Sequence, residues 1–147
     1  MLCDPVKEVC GLIIGHTAPD GVIEATTYKA LPNTNPNPIS GFEMHPEKMM
    51  KLINIISSLN DDKAKIVGCF HSHPHWSGQP SRTDYNAAKD FDNDFAWLIY
   101  GGLDGKILYH HFDGADFVKG DIQIHSGIHL NESQNIENLQ RLGILTL

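Results

Sequence analysis

Residues 65–84 read KIVGCFHSHPHWSGQPSRTD, and the fold turns on how this stretch is divided. The apolar run KIVGCF predicts a central strand over 65–73 that leads directly into the histidines. Successive strand residues alternate between faces, so His71 and His73 present both imidazoles on one side of the strand end. Two ring nitrogens there can reach one ion. Asp84 follows after a turn long enough to fold back as a third ligand. Two histidines and one carboxylate leave a tetrahedral zinc with one open position, the catalytic arrangement, whereas structural zinc is more often closed by four protein ligands. Taken residue by residue, other readings stay open. An HxH pair also suits a polar strand end, and Ser81-Arg-Thr-Asp84 suits a helix N-cap with an acidic third residue. The last reading is compatible with a metal, because a helix start also fixes the orientation of Asp84.

Outward from this stretch, strands and helices are interspersed. VCGLIIG (9–15) suits a buried strand, and VIEATTYKAL (22–31) a second one, with APDG (18–21) as the turn between them. The Pro- and Asn-rich segment 32–41 is a loop, since each proline removes a ladder donor and restricts the residue before it. Pro46 fits a first helical position, and Met49, Leu52, Ile53, Ile56 and Leu59 keep helical spacing to a predicted end near Asn60. A helix is expected from Ser81 to about Phe91, and a hairpin from 95–102 and 106–112, turning at 103–105. A further strand is expected over 120–127, and a terminal helix over 133–142 closed by Gly143. This order predicts an α/β or α+β domain with a central mixed sheet flanked by helices.

Bulk properties narrow the function classes. At 147 residues, 41% of them apolar and 20% charged, the chain is one ordinary globular domain spanning 1–147. A net charge of −7 argues against a nucleic-acid or anionic-membrane surface. No apolar run approaches the roughly 20 residues of a membrane span, and MLCDPVKE lacks signal-peptide character. Cys3, Cys10 and Cys69 have no CxxC spacing. Cys10 and Cys69 sit in apolar runs and read as buried, reduced thiols, which points to a cytoplasmic protein. The deaminase signature HxE with PCxxC is absent, and so is HExxH.

The whole string is more specific than its parts. His71-Ser-His73-Pro74, six residues, then Ser81-Arg-Thr-Asp84 resembles the signature of the JAMM (MPN-plus) zinc metalloproteases. Pro5-Val-Lys-Glu8-Val-Cys-Gly11, continuing to Gly15, resembles the family's early strand with its glutamate. Asn33 after a strand and a proline, and Phe42-Glu-Met-His-Pro46 at the helix start, extend the likeness across most of 5–112.

The resemblance implies a cytidine-deaminase-like three-layer sandwich binding one Zn²⁺ per chain through His71, His73 and Asp84. It implies Glu8 as the general base acting on a water at the metal, a choice that spacing alone leaves open among Glu8, Glu24, Glu43 and Glu47. Ser81 matches the family serine that stabilises the oxyanion, besides suiting an N-cap. The segment 74–80 with Trp76, and the loop 32–42 with Asn33, are expected to flank a substrate groove. His75, His110, His111, His125 and His129 read as surface or edge residues. The implied activity is hydrolysis of an amide bond after the glycine-rich tail of a ubiquitin-like or sulfur-carrier protein. Two alternatives are a phage-tail-type peptidase and a non-catalytic MPN scaffold. The family commonly carries a helix before the glutamate strand, and only seven residues precede Glu8 here. Three readings stay open: a misassigned start, a fragment of a longer chain, or a second copy or partner subunit that covers the corresponding face.

Overall fold

The computed structural model describes residues 4–91 and 95–123. Cys3, His125, His129, the terminal helix of 133–142 and Gly143 lie outside them. The described chain runs β1 (Cys10–Thr17), β2 (Ile23–Leu31), α1 (Pro46–Ser58), β3 (Lys65–His73), α2 (Arg82–Ala88), β4 (Ala96–Gly101), β5 (Lys106–Phe112) and β6 (Phe117–Gly120). The six strands form one mixed α/β sheet in the order β2-β1-β3-β4-β5-β6. Only β3 and β4 are parallel. A parallel pair needs a crossover, and the segment carrying α2 supplies it. The chain therefore leaves the sheet at the carboxyl end of β3, where His71 and His73 sit, and returns past Asp84.

Each hairpin has a local cause. Between β1 and β2 the Ala18 N–H donates to the Val22 carbonyl, and Gly21 takes a positive φ of 86° that a β-carbon would disfavour. Strand β1 runs on to Thr17, past the expected end at Gly15. Pro46 does open α1, and the half-buried His45 caps it through Nδ1, which accepts weakly from the Lys48 N–H at 3.4 Å. Helix α2 stops at Ala88, short of the expected Phe91.

The strand expected over 120–127 is corrected. It occupies Phe117–Gly120, residues 121–123 form no strand, and 124–127 are not described. The cause is an Asx turn at Asp113, whose Oδ1 accepts from the Ala115 and Asp116 N–H groups. That turn starts the return strand at once and brings Phe117 against Trp97 and Phe112.

Strand alternation puts Cys10, Leu12 and Ile14 with Cys69 and Trp97 in the main core, under Leu52 and Ile56 of α1 and Ala88 of α2. Cys10 and Cys69 are free thiols inside that core, as their apolar surroundings predict. Ile13, Val67 and Phe70 form a second cluster with Tyr28 and Leu98, and no helical residue packs on it among the described residues. The described residues thus show a sheet with helices on one face, two layers where three are expected. No described helix is long and apolar enough to cross a membrane.

Candidate metal centre

Strand β3 delivers His71 and His73 to one buried spot, with their Nε2 atoms 3.0 Å apart. The start of α2 delivers Asp84. Ser81 caps this helix: its Oγ accepts from the Asp84 N–H at 3.1 Å, and Asp84 Oδ2 accepts from the Ser81 N–H at 2.7 Å. The cap leaves the carboxylate facing inward, with Oδ1 3.0 Å from His71 Nε2 and Oδ2 3.3 Å from His73 Nε2. Zinc ligands about 2.0–2.1 Å from the ion lie roughly 3.3 Å apart in a tetrahedron, close to these separations.

Glu8 arrives from the other side of β3. Cys10 pairs with His71 in the antiparallel β1–β3 ladder, and carrying that register on by two residues sets Glu8 opposite His73. Buried Ser72 continues the ladder: its N–H donates to the Val9 carbonyl, and its Oγ accepts from the Val9 N–H. The Glu8 N–H donates to the Pro38 carbonyl at 2.7 Å, and its own carbonyl accepts from Asn33 Nδ2 at 2.9 Å. One ligand atom each from Glu8, His71 and His73 lie within 4.8 Å of one another, a possible metal site. Glu8 is only 5% exposed, while Glu24, Glu43 and Glu47 are exposed.

The hydrogen bonds fix the donor chemistry. His73 Nδ1 lies 2.9 Å from the Ser77 carbonyl, which can only accept, so Nδ1 carries the proton. The neutral ring then turns a lone pair at Nε2 toward the Asp84 anion. Such a pair of acceptors needs a cation between them, either a proton or a metal. The residues present therefore fit a divalent, nitrogen- and oxygen-seeking ion such as zinc.

Charge states follow from the same surroundings. Burial opposes ionisation of Asp84, but hydrogen bonds from His71, from His73 when its ring is protonated, and from the Ser81 N–H outweigh it and hold the carboxyl well below the usual range. Burial also pulls His73 down, yet its bonds to Asp84 and Ser77 and the nearby carboxylates leave it raised overall. His71, more deeply enclosed, is lowered, chiefly by burial. Burial pushes Glu8 up to about 7, with His73 opposing and Asp84 assisting. Metal binding must displace the His73 proton, so zinc affinity falls as pH drops. A chelator competition at pH 6 and pH 8 should show weakening on the order of tenfold at the lower pH, with proton release on binding.

Other residues find different places. Asn33 donates twice through Nδ2, to Glu8 and Gly41 carbonyls, and accepts twice at Oδ1, from Asn35 and Glu43 N–H groups. Its amide is fully occupied inside the protein, where it clamps the 32–42 loop to Glu8. Trp76 is 67% exposed beside the site, and His75 is exposed as expected. His110, expected at the surface, is buried against Phe117 and the Gly78 carbonyl, because β5 is interior on that face. Partners to which the sequence assigned no role at the site are Ser72, the Ser77 carbonyl and Phe42, which reads only as part of the helix start and whose ring stacks on His71 at 4.4 Å. Ser72 lies within the quoted stretch, between two histidines, where strand alternation puts it on the opposite face of the sheet, but its bond to Val9 depends on the β1–β3 register.

A family model described as prokaryotic homologs of the JAB domain matches residues 2–111. The chain belongs to this family. The JAMM/MPN-plus resemblance is thereby borne out. A relative in Haloferax volcanii, named desampylase, is 32% identical over 118 residues, which are 78% of this chain and 76% of the relative. Among solved structures, a protein from Desulfitobacterium hafniense superposes with a TM-score of 0.68 at 21% identity, covering 85% of this chain and 82% of that one. One from Salinibacter ruber gives 0.55 at 19% identity, over 82% and 79%. At these identities the two structures support a shared fold alone.

Proposed function

We propose that this JAB-domain chain is a single-domain, cytoplasmic, zinc-dependent hydrolase of the JAMM type. Its substrate would be the amide bond that follows the glycine-rich tail of a ubiquitin-like or sulfur-carrier protein. A cytidine-deaminase-like layering belongs to the same reading. One observation carries it: His71, His73 and Asp84 meet in one buried cluster, with Asp84 Oδ1 and Oδ2 3.0 and 3.3 Å from the two Nε2 atoms and buried Glu8 beside them. Asp84 is held as an anion among His71, His73 and the Ser81 N–H, and Glu8 is pushed up to about 7. Groups driven apart in this way are suited to different tasks. Asp84 serves as ligand with His71 and His73, and Glu8 serves as base.

Zinc held there supplies a positive charge that lowers the pKa of water to about 7. Glu8, buried beside His73, takes the proton from the attacking water and returns it to the leaving amine. Ser81 accepts the Asp84 N–H at Oγ and keeps its hydroxyl hydrogen for the developing oxyanion, so the cap and donor roles coexist. Burial around His71 and Asp84 excludes bulk water, which strengthens each of these interactions. Glycines let a substrate tail lie flat in a narrow groove, and exposed Trp76 offers it an aromatic wall.

The desampylase relative favours deconjugation over a phage-tail peptidase. The complete set of Glu8, His71, His73, Ser81 and Asp84 weighs against a pure scaffold. The test is a linear fusion in which a ubiquitin-like tail ending in Gly-Gly precedes a reporter. Mass spectrometry should place the cut after the last glycine, and replacing both glycines by valine should stop it. Equal cleavage of the valine form would refute the tail reading.

A further inference from the structure

His110 lies on β5, outside the JAMM signature, yet it is only 2% exposed and its Nε2 is 3.2 Å from the Gly78 carbonyl. A carbonyl only accepts, so Nε2 must carry the ring proton. Gly78 is the residue after Ser77, whose carbonyl receives the His73 Nδ1–H at 2.9 Å. Glycine leaves the peptide planes on its two sides free to rotate. Two contacts restrain the chain directly after the Ser77 oxygen: His110 on the Gly78 carbonyl, and the Gln79 N–H, which donates to Ser77 Oγ at 3.3 Å. Space also matters, since a β-carbon on Gly78 would meet the Ile99 carbonyl oxygen at 2.6 Å.

We infer that His110 is a positioning residue for the metal centre: its Nε2–H holds Gly78, which sets the Ser77 carbonyl and so aims His73 Nε2 at Asp84. This rests on His73 being a ligand. Burial, aided by the charge of Lys119, keeps the imidazole below its ordinary pKa despite the Gly78 carbonyl and Asp84, so the neutral donor form prevails. A histidine that merely fills space beside Phe117 would make no such demand on its proton.

Two amide variants separate these roles. In His110→Gln the side-chain nitrogen reaches the place of Nε2, and in His110→Asn it stops one carbon short. Wild type is measured first, by competition with a chromophoric zinc chelator. His110→Gln should bind zinc within about threefold of wild type, while His110→Asn and His110→Phe should lose about tenfold or more, the scale of lost outer partners of metal ligands. Nitrogen-15 spectra of the zinc-free protein at alkaline pH should show His110 as the Nε2–H tautomer. They should also show His73 as a single Nδ1–H tautomer in wild type and His110→Gln, and as a mixture in His110→Asn.

Wild-type affinity in folded His110→Asn and His110→Phe overturns the inference, and so does a His110→Gln loss as large as that of phenylalanine. An Nδ1–H tautomer at His110 overturns it in the wild type, whether or not any variant folds. Absence of zinc binding by wild type instead defeats the metal reading, and the tautomer spectra remain a separate readout.

Discussion

Glu8→Gln is expected to lower kcat by about 10²–10⁴-fold while zinc stays bound, the usual contribution of a positioned general base. Glutamine preserves the size of the side chain and its seat across from His73, and removes only the ability to take a proton. The zinc-free variant has a second signature. Burial raises Glu8 from its ordinary 4.5 to about 7, so the folded state favours the protonated form. Glu8 therefore costs stability increasingly as pH rises from 4.5 toward 7, and by a constant amount above that. Glutamine removes this cost. The variant should melt higher than wild type at pH 8 and match it more closely near pH 4.5. Turnover equal to wild type would remove Glu8 from the mechanism.

Asp84 gives the second large effect, and two substitutions divide its roles. Asp84→Asn keeps an oxygen to accept the Ser81 N–H, so the start of α2 survives, but the anion beside His71 and His73 is gone. Zinc affinity should fall by more than the roughly 10–100-fold seen when only an outer partner is lost. Asp84→Ala also breaks the reciprocal cap and should cost about 1 kcal/mol further in denaturant unfolding. The carboxyl is held below its ordinary 3.8, so its stabilisation is present above that pH and fades as acid protonates it. Zinc affinity unchanged in the asparagine variant would show that Asp84 is a cap and nothing more.

Local patterns make much of this readable in the sequence. Lys65–His73 is the strand that its apolar run predicts, and the Ser81–Asp84 spacing that predicts a helix start is the capping box observed. Strand alternation by itself is enough to put both imidazoles on one face. Non-local pairings are harder to read. That Glu8 faces His73 depends on the β1–β3 register, which no spacing of 63 residues can specify. His110 reads as one member of a polar pair, because burial on β5 depends on the neighbours β4 and β6. The DGAD turn is a polar signal inside a polar stretch, and the last strand begins three residues earlier than expected because of it. Asn33, expected to touch substrate, is engaged on all sides by backbone groups that only the folded 32–42 loop brings within reach.

The most direct measurement of the central claim follows cleavage of the Gly-Gly tail fusion by one preparation through removal and return of zinc. Turnover should vanish on chelation, return in proportion to zinc up to one ion per chain, and stay absent throughout in Glu8→Gln. Undiminished cleavage by the fully zinc-free protein would contradict the account.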